Sequence, residues 1–410
     1  MMAYASQEIT NNVSVELALP TEWKKTKIDP AGSFFSTNDF VADDATQAYT
    51  GFGRRYDLNQ PPRTALPLAT ALLGQIIAPR LPGPDREPGD SGQYGVALRY
   101  FAPELNNTEF GFYHANYHSR TPLVSGYRGG ATLYLPVVLT PTCTSAPCGY
   151  YFVEYPKDIK LFGLSLNTSL PGGVALQGEY SYRSNQPLQL PSAELLLAAL
   201  GQANQLTGDA ATAAAVLGGT EISGYRRVKM HQIQFTGTKA FGPTFGAEQL
   251  VTVGEIGYTY LDLPTNLKFA APGCHLPQPG SSTTTSYGST STDCFTTKNS
   301  WGYRLVGRLD YPNAFLGATV SPRIAFSHDV SGRGPTFNEG AKAVTLGVGF
   351  NYRQNWQADI AYTAFFGGKT ISGTDLVNHN PLTGQPLSYA SSTNPMKDRD
   401  FLAISVSYSF

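Results

Sequence analysis

The chain has 410 residues, of which 41% are hydrophobic and only 14% charged, against the roughly 25% charged usual in soluble proteins. A formal net charge of −1 excludes the basic footprint of a nucleic-acid-binding protein. There is no run of about 18 apolar residues, which excludes a membrane-spanning helix, while 24 Tyr, 22 Phe, 42 Gly and 29 Pro favour strands joined by many turns.

The N-terminus, Met1 to Thr10, lacks the basic region and apolar stretch of a secretion signal. From residue 11 to 23, Val13, Val15, Leu17 and Leu19 alternate against Ser14, Glu16 and Ala18, which predicts a strand. Residues 25–91 form a long connector whose apolar stretch, Ala65 to Ile77, is too short to span a bilayer and suits a short helix in a lumen or across a mouth. Residues 93–101 are a strand, with Tyr94, Val96, Leu98 and Tyr100 facing one way and Arg99 the other; 102–107 is a turn. Residues 109–118 are a strand aromatic on both faces, so the pattern does not assign its sides. A loop to about residue 156 carries Cys143 and Cys148. Strands at 159–166 and 174–183 flank a short turn, and in the second Glu179 and Arg183 oppose Tyr180 and Tyr182.

In the connector 184–224, Ser192 can cap a helix with Glu194 in its first turn, and Leu195, Leu196, Leu197, Leu200 and Leu206 make that segment apolar. Strands are expected at 227–239 and 250–261. A Ser/Thr/Gly-rich loop, 262–300, contains Cys274 and Cys294. Further pairs follow at 301–311 with 320–330 and at 344–352 with 356–366, then a polar loop, 367–397. In the last strand Leu402, Ile404, Val406, Tyr408 and Phe410 alternate against Ala403, Ser405, Ser407 and Ser409. A strand of this length can cross a tilted bilayer, which needs about 9–11 residues.

About twelve strands result, with connectors alternately short and long. This is the pattern of outer-membrane barrels, which have short periplasmic turns and long outer loops. The expected fold is all-β, an antiparallel transmembrane β-barrel forming one domain over 1–410, with short helices in its outer loops. The candidate lumen-lining residues are Arg99, Glu179, Arg183, Glu255, Arg304, Arg308, Asp310, Arg323 and Asp359, with Asp329 beside them. On a lipid face each charge would cost about 2–4 kcal/mol at mid-depth. The plainer reading of the set is a network of ion pairs and water; the sharper one is a lining that guides a solute. Leu196 and Leu200 are gate candidates. Four cysteines allow three pairings, of which Cys143–Cys148 and Cys274–Cys294, each within one loop, is the simplest. None of the six histidines has a metal-binding spacing. Tyr117-His118-Ser119-Arg120 holds a possible base and nucleophile, but adjacent strand residues point to opposite faces. No catalytic, cofactor-binding or metal site is expected, and no enzyme.

The closing strand, with Tyr408 and the final Phe410, resembles the C-terminal signal read by the assembly machinery of bacterial outer-membrane barrels. Four segments carry a second resemblance: Ala18 to Trp23 with Asp29 to Thr37, Asp85 to Tyr100, Thr108 to Arg120, and Leu170 to Arg183. Together they resemble the bacterial outer-membrane family catalogued as domain of unknown function 1302 (DUF1302), and the chain looks like a member lacking N-terminal strands and a signal peptide. The resemblance implies a barrel in the outer membrane of a Gram-negative bacterium, similar in general type to long-chain fatty-acid channels. It implies porin-like passive uptake of hydrophobic or amphipathic small molecules. The expected partners are outer-membrane lipids, the barrel assembly machinery, a hydrophobic solute and a periplasmic or envelope protein, with no nucleic acid. The alternatives are a binding or structural protein of the outer surface and a membrane-embedded lipid hydrolase.

Overall fold

The computed structural model describes residues 2–49, 77–129, 149–199, 204–208, 212, 215–216, 218–274, 294–379 and 386–410. The apolar stretch from Ala65 to Ile77 lies outside them except for Ile77. So do Cys143, Cys148, Leu200 and the side chain of Leu196.

In chain order the strands are β1 (Met2–Thr10), β2 (Val13–Pro20), β3 (Gln47–Tyr49), β4 (Ile77–Pro79), β5 (Tyr94–Ala102), β6 (Thr108–Tyr117), β7 (Leu123–Arg128), β8 (Gly149–Glu154), β9 (Ile159–Leu170) and β10 (Val174–Gln189). Helix α1 (Ser192–Ala199) comes next. After it come β11 (Glu221–Ile222), β12 (Tyr225–Phe241), β13 (Gln249–Leu261), β14 (Asn299–Phe315), β15 (Ala318–Ser331), β16 (Ala341–Tyr352), β17 (Trp356–Gly367), β18 (Thr370–His379), β19 (Pro386–Ser392) and β20 (Phe401–Tyr408). No helix among the described residues is long and apolar enough to cross a membrane.

Thirteen strands form one antiparallel sheet in the order β1-β2-β5-β6-β9-β10-β12-β13-β14-β15-β16-β17-β20. The extra strand relative to the expected twelve or so is β1. Its sequence hides the period: Ala3, Ala5 and Gln7 share a face with Ile9, and Tyr4 lies on the other, paired with Ala18. β1 and β20 are the two edges, and no ladder joins them. The two ends of the sheet still meet through a connector. Arg399, just before β20, donates to the carbonyl of Ser36 at 2.5 Å, and the rings of Phe35 and Phe401 are 5.5 Å apart.

The registers put one set of alternating residues on a continuous apolar face. Leu17 opposes Val96, Leu98 opposes Phe112, Phe112 opposes Leu164, Tyr180 opposes Ile233, and Ile360 opposes Ile404. These side chains are not covered by protein; Ile404 and Val406 are each 65% exposed. The register also settles β6: Phe110, Phe112 and His114 lie on the apolar face, and Tyr113 on the other.

Short turns join the strands at one end of the sheet, and the long connectors gather at the other into a cap. Four connectors contain strands that the alternation does not show, β3 and β4 pairing with each other in the first of them. β7 and β8 form a three-stranded sheet with β11, and β18 pairs with β19. Both β7 and β8 are buried on both sides, so they show no alternation. The cap has its own apolar cores. Leu188, Leu190, Leu195, Val228, Met230, Leu261 and Phe269 form one, and Trp23, Val124, Tyr151, Val153 and Tyr155 lie in a second. α1 contributes Leu195 to the first and packs against β7 and β8. A disulfide joins Cys274 to Cys294, with Cα atoms 5.2 Å apart, inside a third cluster with Phe295 and Ile371.

Polar ties lock the connectors together. Lys25 Nζ reaches Asp43 at 2.7 Å, Glu87 at 3.3 Å and Asp85 at 3.4 Å, while Arg80 holds Asp85 at 2.5 Å. Trp23 Nε1 donates to the carbonyl of Ser119 at 3.1 Å. Arg333 Nε donates to the carbonyl of Phe295 at 3.0 Å, and Thr393 Oγ1 to that of Glu339 at 2.7 Å.

Burial raises the Glu154 carboxyl above its ordinary range, and Glu221 adds to this; the Ser125 hydroxyl and Arg86 oppose it. A raised folded-state value means that the folded cap binds the proton better than the unfolded chain. Its contribution to stability is complete below the unfolded value and falls as pH rises through the folded one. Glu154→Gln should therefore firm the cap at neutral pH. Hydrogen exchange of β7 and β8, corrected for intrinsic rates, should lose protection as pH rises above the ordinary carboxylate range in the wild type and much less in the variant. Equal losses in both would contradict this account of Glu154.

Candidate functional site

The second set of alternating residues makes a polar face, and all ten charges singled out from the sequence lie on it. The ladder sets which of them meet. Ser14 opposes Arg99 and Arg99 opposes Gly111, so the guanidinium lies between Glu16 and Glu109. It donates through Nε to Glu16 at 3.0 Å and through Nη1 to Glu109 at 2.9 Å. Arg323 and Asp359 stand on either side of β16, with Gly347 between them leaving room for the guanidinium. Two parallel bonds join them, from Nη2 to Oδ1 at 2.8 Å and from Nη1 to Oδ2. Bidentate pairing of this kind fixes geometry as well as charge. Arg304 Nη2 donates to Asp329 at 2.9 Å, and Arg308 Nη2 to Asp310 at 3.1 Å; Asp310 also accepts from Ser321 at 2.7 Å.

Three of the ten have no ion-pair partner among the described residues. Glu255 accepts from Thr236 at 3.1 Å, and Glu179 from Gln234 at 3.3 Å. Arg183 donates through Nε to Tyr117 Oη at 3.1 Å and through Nη1 to Ser181 Oγ at 3.4 Å and to Gln232 Oε1. Glu179 and Arg183 line the same hollow on the polar face, about 490 Å³, with Tyr113, Ser165, Ser181 and Gln232. The Tyr113 and Ser165 hydroxyls are 3.0 Å apart. This volume falls within the range of small-molecule sites.

The connector between β15 and β16 dips onto this face. Gln232 Nε2 donates to Thr336 Oγ1 at 2.9 Å, and the Arg304 guanidinium carbon is 6.0 Å from the centre of the Phe337 ring. Phe337 sits on two glycines that oppose each other in β13 and β14. A Cβ on Gly257 or on Gly302 would each come within 2.9 Å of its ring. Neither Phe337 nor its seat was named by the sequence reading, although glycine on the polar parity of both strands is the signal that bulk from elsewhere approaches there.

The remaining sequence candidates are His118 with Ser119 and the gate segment. His118 is a buried structural residue of the rim. Its Nδ1 accepts from the backbone N–H of Asp158 at 3.1 Å, so Nε2 carries the proton given to the Ser91 carbonyl at 2.9 Å. Ser119 Oγ instead donates to the Thr121 carbonyl at 2.8 Å, and no hydrogen bond joins it to His118. Of the gate segment, Leu195 is packed in the cap core, while Leu200 and the Leu196 side chain lie outside the described residues. Among the described residues no cluster of three or more His, Cys, Asp or Glu is placed to hold a metal ion.

Residues 1–410, the whole chain, match the family described as protein of unknown function, DUF1302. The chain belongs to that family. No curated protein matches it in sequence. Among solved structures it is similar to a point mutant of the ferric enterobactin receptor PfeA from Pseudomonas aeruginosa, at 11% identity and a TM-score of 0.38. That alignment covers 99% of this chain and 47% of the receptor chain, so this chain spans about half of the receptor's length.

If Phe337 depends on its glycine seat, Gly257→Val should destabilise the protein by about 1–3 kcal/mol through overpacking. In a Phe337→Ala background the same substitution should cost much less, because the clashing ring is gone. Urea midpoints of the four proteins of the cycle measure this. Equal costs in both backgrounds would show that Phe337 does not rest on Gly257.

Proposed function

We propose that the thirteen-stranded sheet is the wall of an outer-membrane β-barrel that lets hydrophobic or amphipathic small molecules pass, with its apolar face in lipid and its polar face inward. One observation carries this reading: between two aromatic belts the apolar face bears no Asp, Glu or Arg on any of the thirteen strands, and its one Lys, Lys239, lies at the short-turn belt with Nζ 4.6 Å from the centre of the Phe241 ring. Water would make so large an apolar surface an aggregation liability, whereas lipid requires it. The belt nearer the cap runs through Tyr94, His114, Phe162, Tyr182, His231 and Tyr260, side by side on β5, β6, β9, β10, β12 and β13, with neighbouring rings 4.5–6.4 Å apart. The belt at the short-turn end includes Phe241, Tyr311, Trp356 and Tyr408. Tyr311 stands eight positions beyond Tyr303, and Phe241 ten positions beyond His231. At about 3.3 Å per residue and a tilt of about 40°, these spans correspond to roughly 20–25 Å of membrane thickness.

The solute part of the reading rests on the cap. Its connectors bring apolar cores to one mouth of the wall, and Thr336 and Phe337 reach from it onto the polar face. In this reading Phe337 narrows the passage, and the segment containing Leu196 and Leu200 acts as a gate at the mouth.

Cells carrying the full-length protein in their outer membrane should accumulate a radiolabelled long-chain alcohol several-fold faster than cells without it. The pair Leu196→Asp and Leu200→Asp should change that rate at equal amounts of inserted protein. Uptake no faster than in protein-free cells would end the transport reading and leave a binding or structural role at the cell surface.

A further inference from the structure

We infer that Arg183 is the anion-binding residue of a site on the polar wall that takes the head group of an amphipathic monocarboxylate. This deepens the transport reading by naming the charge class of its solute.

Five arginines on this face were singled out. Arg99, Arg304, Arg308 and Arg323 each hold a carboxylate at 2.9, 2.9, 3.1 and 2.8 Å. Arg183 holds none. Its Nε and Nη1 are fixed by neutral oxygens of Tyr117, Ser181 and Gln232. Its Nη2 makes no hydrogen bond to any described residue, and the side chain lines the 490 Å³ hollow. A guanidinium held by neutral partners is oriented but not neutralised, which is what a site for an incoming anion requires.

The rest of the hollow narrows the choice of anion. Leu161 and the Tyr113 ring supply apolar contact, and the Tyr113 and Ser165 hydroxyls supply further polar groups. Glu179 closes the other end. It lies on the same face of β10, four residues from Arg183, about 13 Å along the strand. At that distance it does not quench Arg183, but it repels a second negative charge on the occupant. The site therefore suits one carboxylate on an apolar body and rejects a dicarboxylate. Met230, directly opposite Arg183 on β12, belongs to the cap core, so the head group would rest where the apolar cap meets the polar wall.

The test uses the full-length protein in lipid nanodiscs, with equilibrium dialysis of radiolabelled hexanoate, hexylammonium and adipate, and with empty nanodiscs as the baseline. The wild type should bind hexanoate at least tenfold more tightly than hexylammonium or adipate. Arg183→Gln should bring hexanoate binding to the baseline, Arg183→Lys should restore part of it, and Glu179→Gln should admit adipate. Hexanoate binding unchanged in Arg183→Gln, wild-type binding at the baseline, or a preference for hexylammonium would each overturn the assignment. If Arg183→Gln disturbs folding, the Glu179→Gln protein still decides, because continued exclusion of adipate would remove the two-ended site. Uptake of the neutral long-chain alcohol is read in parallel. If uptake is intact while hexanoate binding does not depend on Arg183, only this site falls. If uptake is absent while binding depends on Arg183, only the transport reading falls.

Discussion

The backbone ladder forces a choice of medium on every residue of this sheet. Each strand pairs on both sides except β1 and β20, so successive side chains must point alternately to the two faces, and a polar residue one position out of step would be delivered to the wrong one. On one face the answer is mainly Leu, Ile, Val, Phe, Tyr and Trp, ending toward both rims in aromatics, with Lys239 at the short-turn rim beside Phe241. On the other, charge is allowed because charge is available to meet it. Arg323 with Asp359 and Arg99 with Glu16 and Glu109 are joined across strands, not along them. A slip of one residue in a single ladder would break such a pair and also move an arginine to the apolar face. The charges of the polar face thus hold the register that the apolar face needs.

The cap follows from the same alternation of connectors. Turns at one end are too short to fold upon themselves, while the long connectors lie side by side at the other. There they bury their own apolar residues: Val153 is fully buried although it belongs to no strand of the wall. Charge in the cap is tied across connectors far apart in sequence, as when Arg86 reaches Glu221 at 2.6 Å on its exposed side. The cap also supplies Thr336 and Phe337, which carry its influence down to the wall. Arg183 and Glu179 lie beside that contact, with Gln232 linking Arg183 to Thr336.

Most of the wall was legible in the sequence because period two is a direct image of which face meets which medium. The final strand, with Leu402, Ile404 and Val406 against Ala403, Ser405 and Ser407, shows it most plainly. The pattern failed where the medium is the same on both sides. β7 and β8 are buried on both faces and read as loop; β1 mixes Ala3, Ala5 and Gln7 with Ile9 on one face and places Tyr4 on the other, so it shows no clean alternation. The charged residues of the polar face could be named from parity, but not their partners. Pairing depends on the stagger between strands, so nothing in the sequence told the paired Arg323 from the unpaired Arg183. Phe337 was hidden for a related reason, since its seat is made by two glycines 45 residues apart that only the β13–β14 register brings together.

The central claim is that one face of the sheet lies in lipid and the other faces a lumen. A nitroxide scan along β17, one residue at a time from Trp356 to Phe366 in the full-length protein in bilayers, tests it most directly. Collision with oxygen, which concentrates in lipid, should be high at Ala358, Ile360, Tyr362 and Ala364. Collision with a water-soluble nickel chelate should be higher at Gln357, Asp359 and Ala361. A period-two exchange between the two quenchers is the predicted result. Equal access of the nickel chelate to both sets would contradict the account.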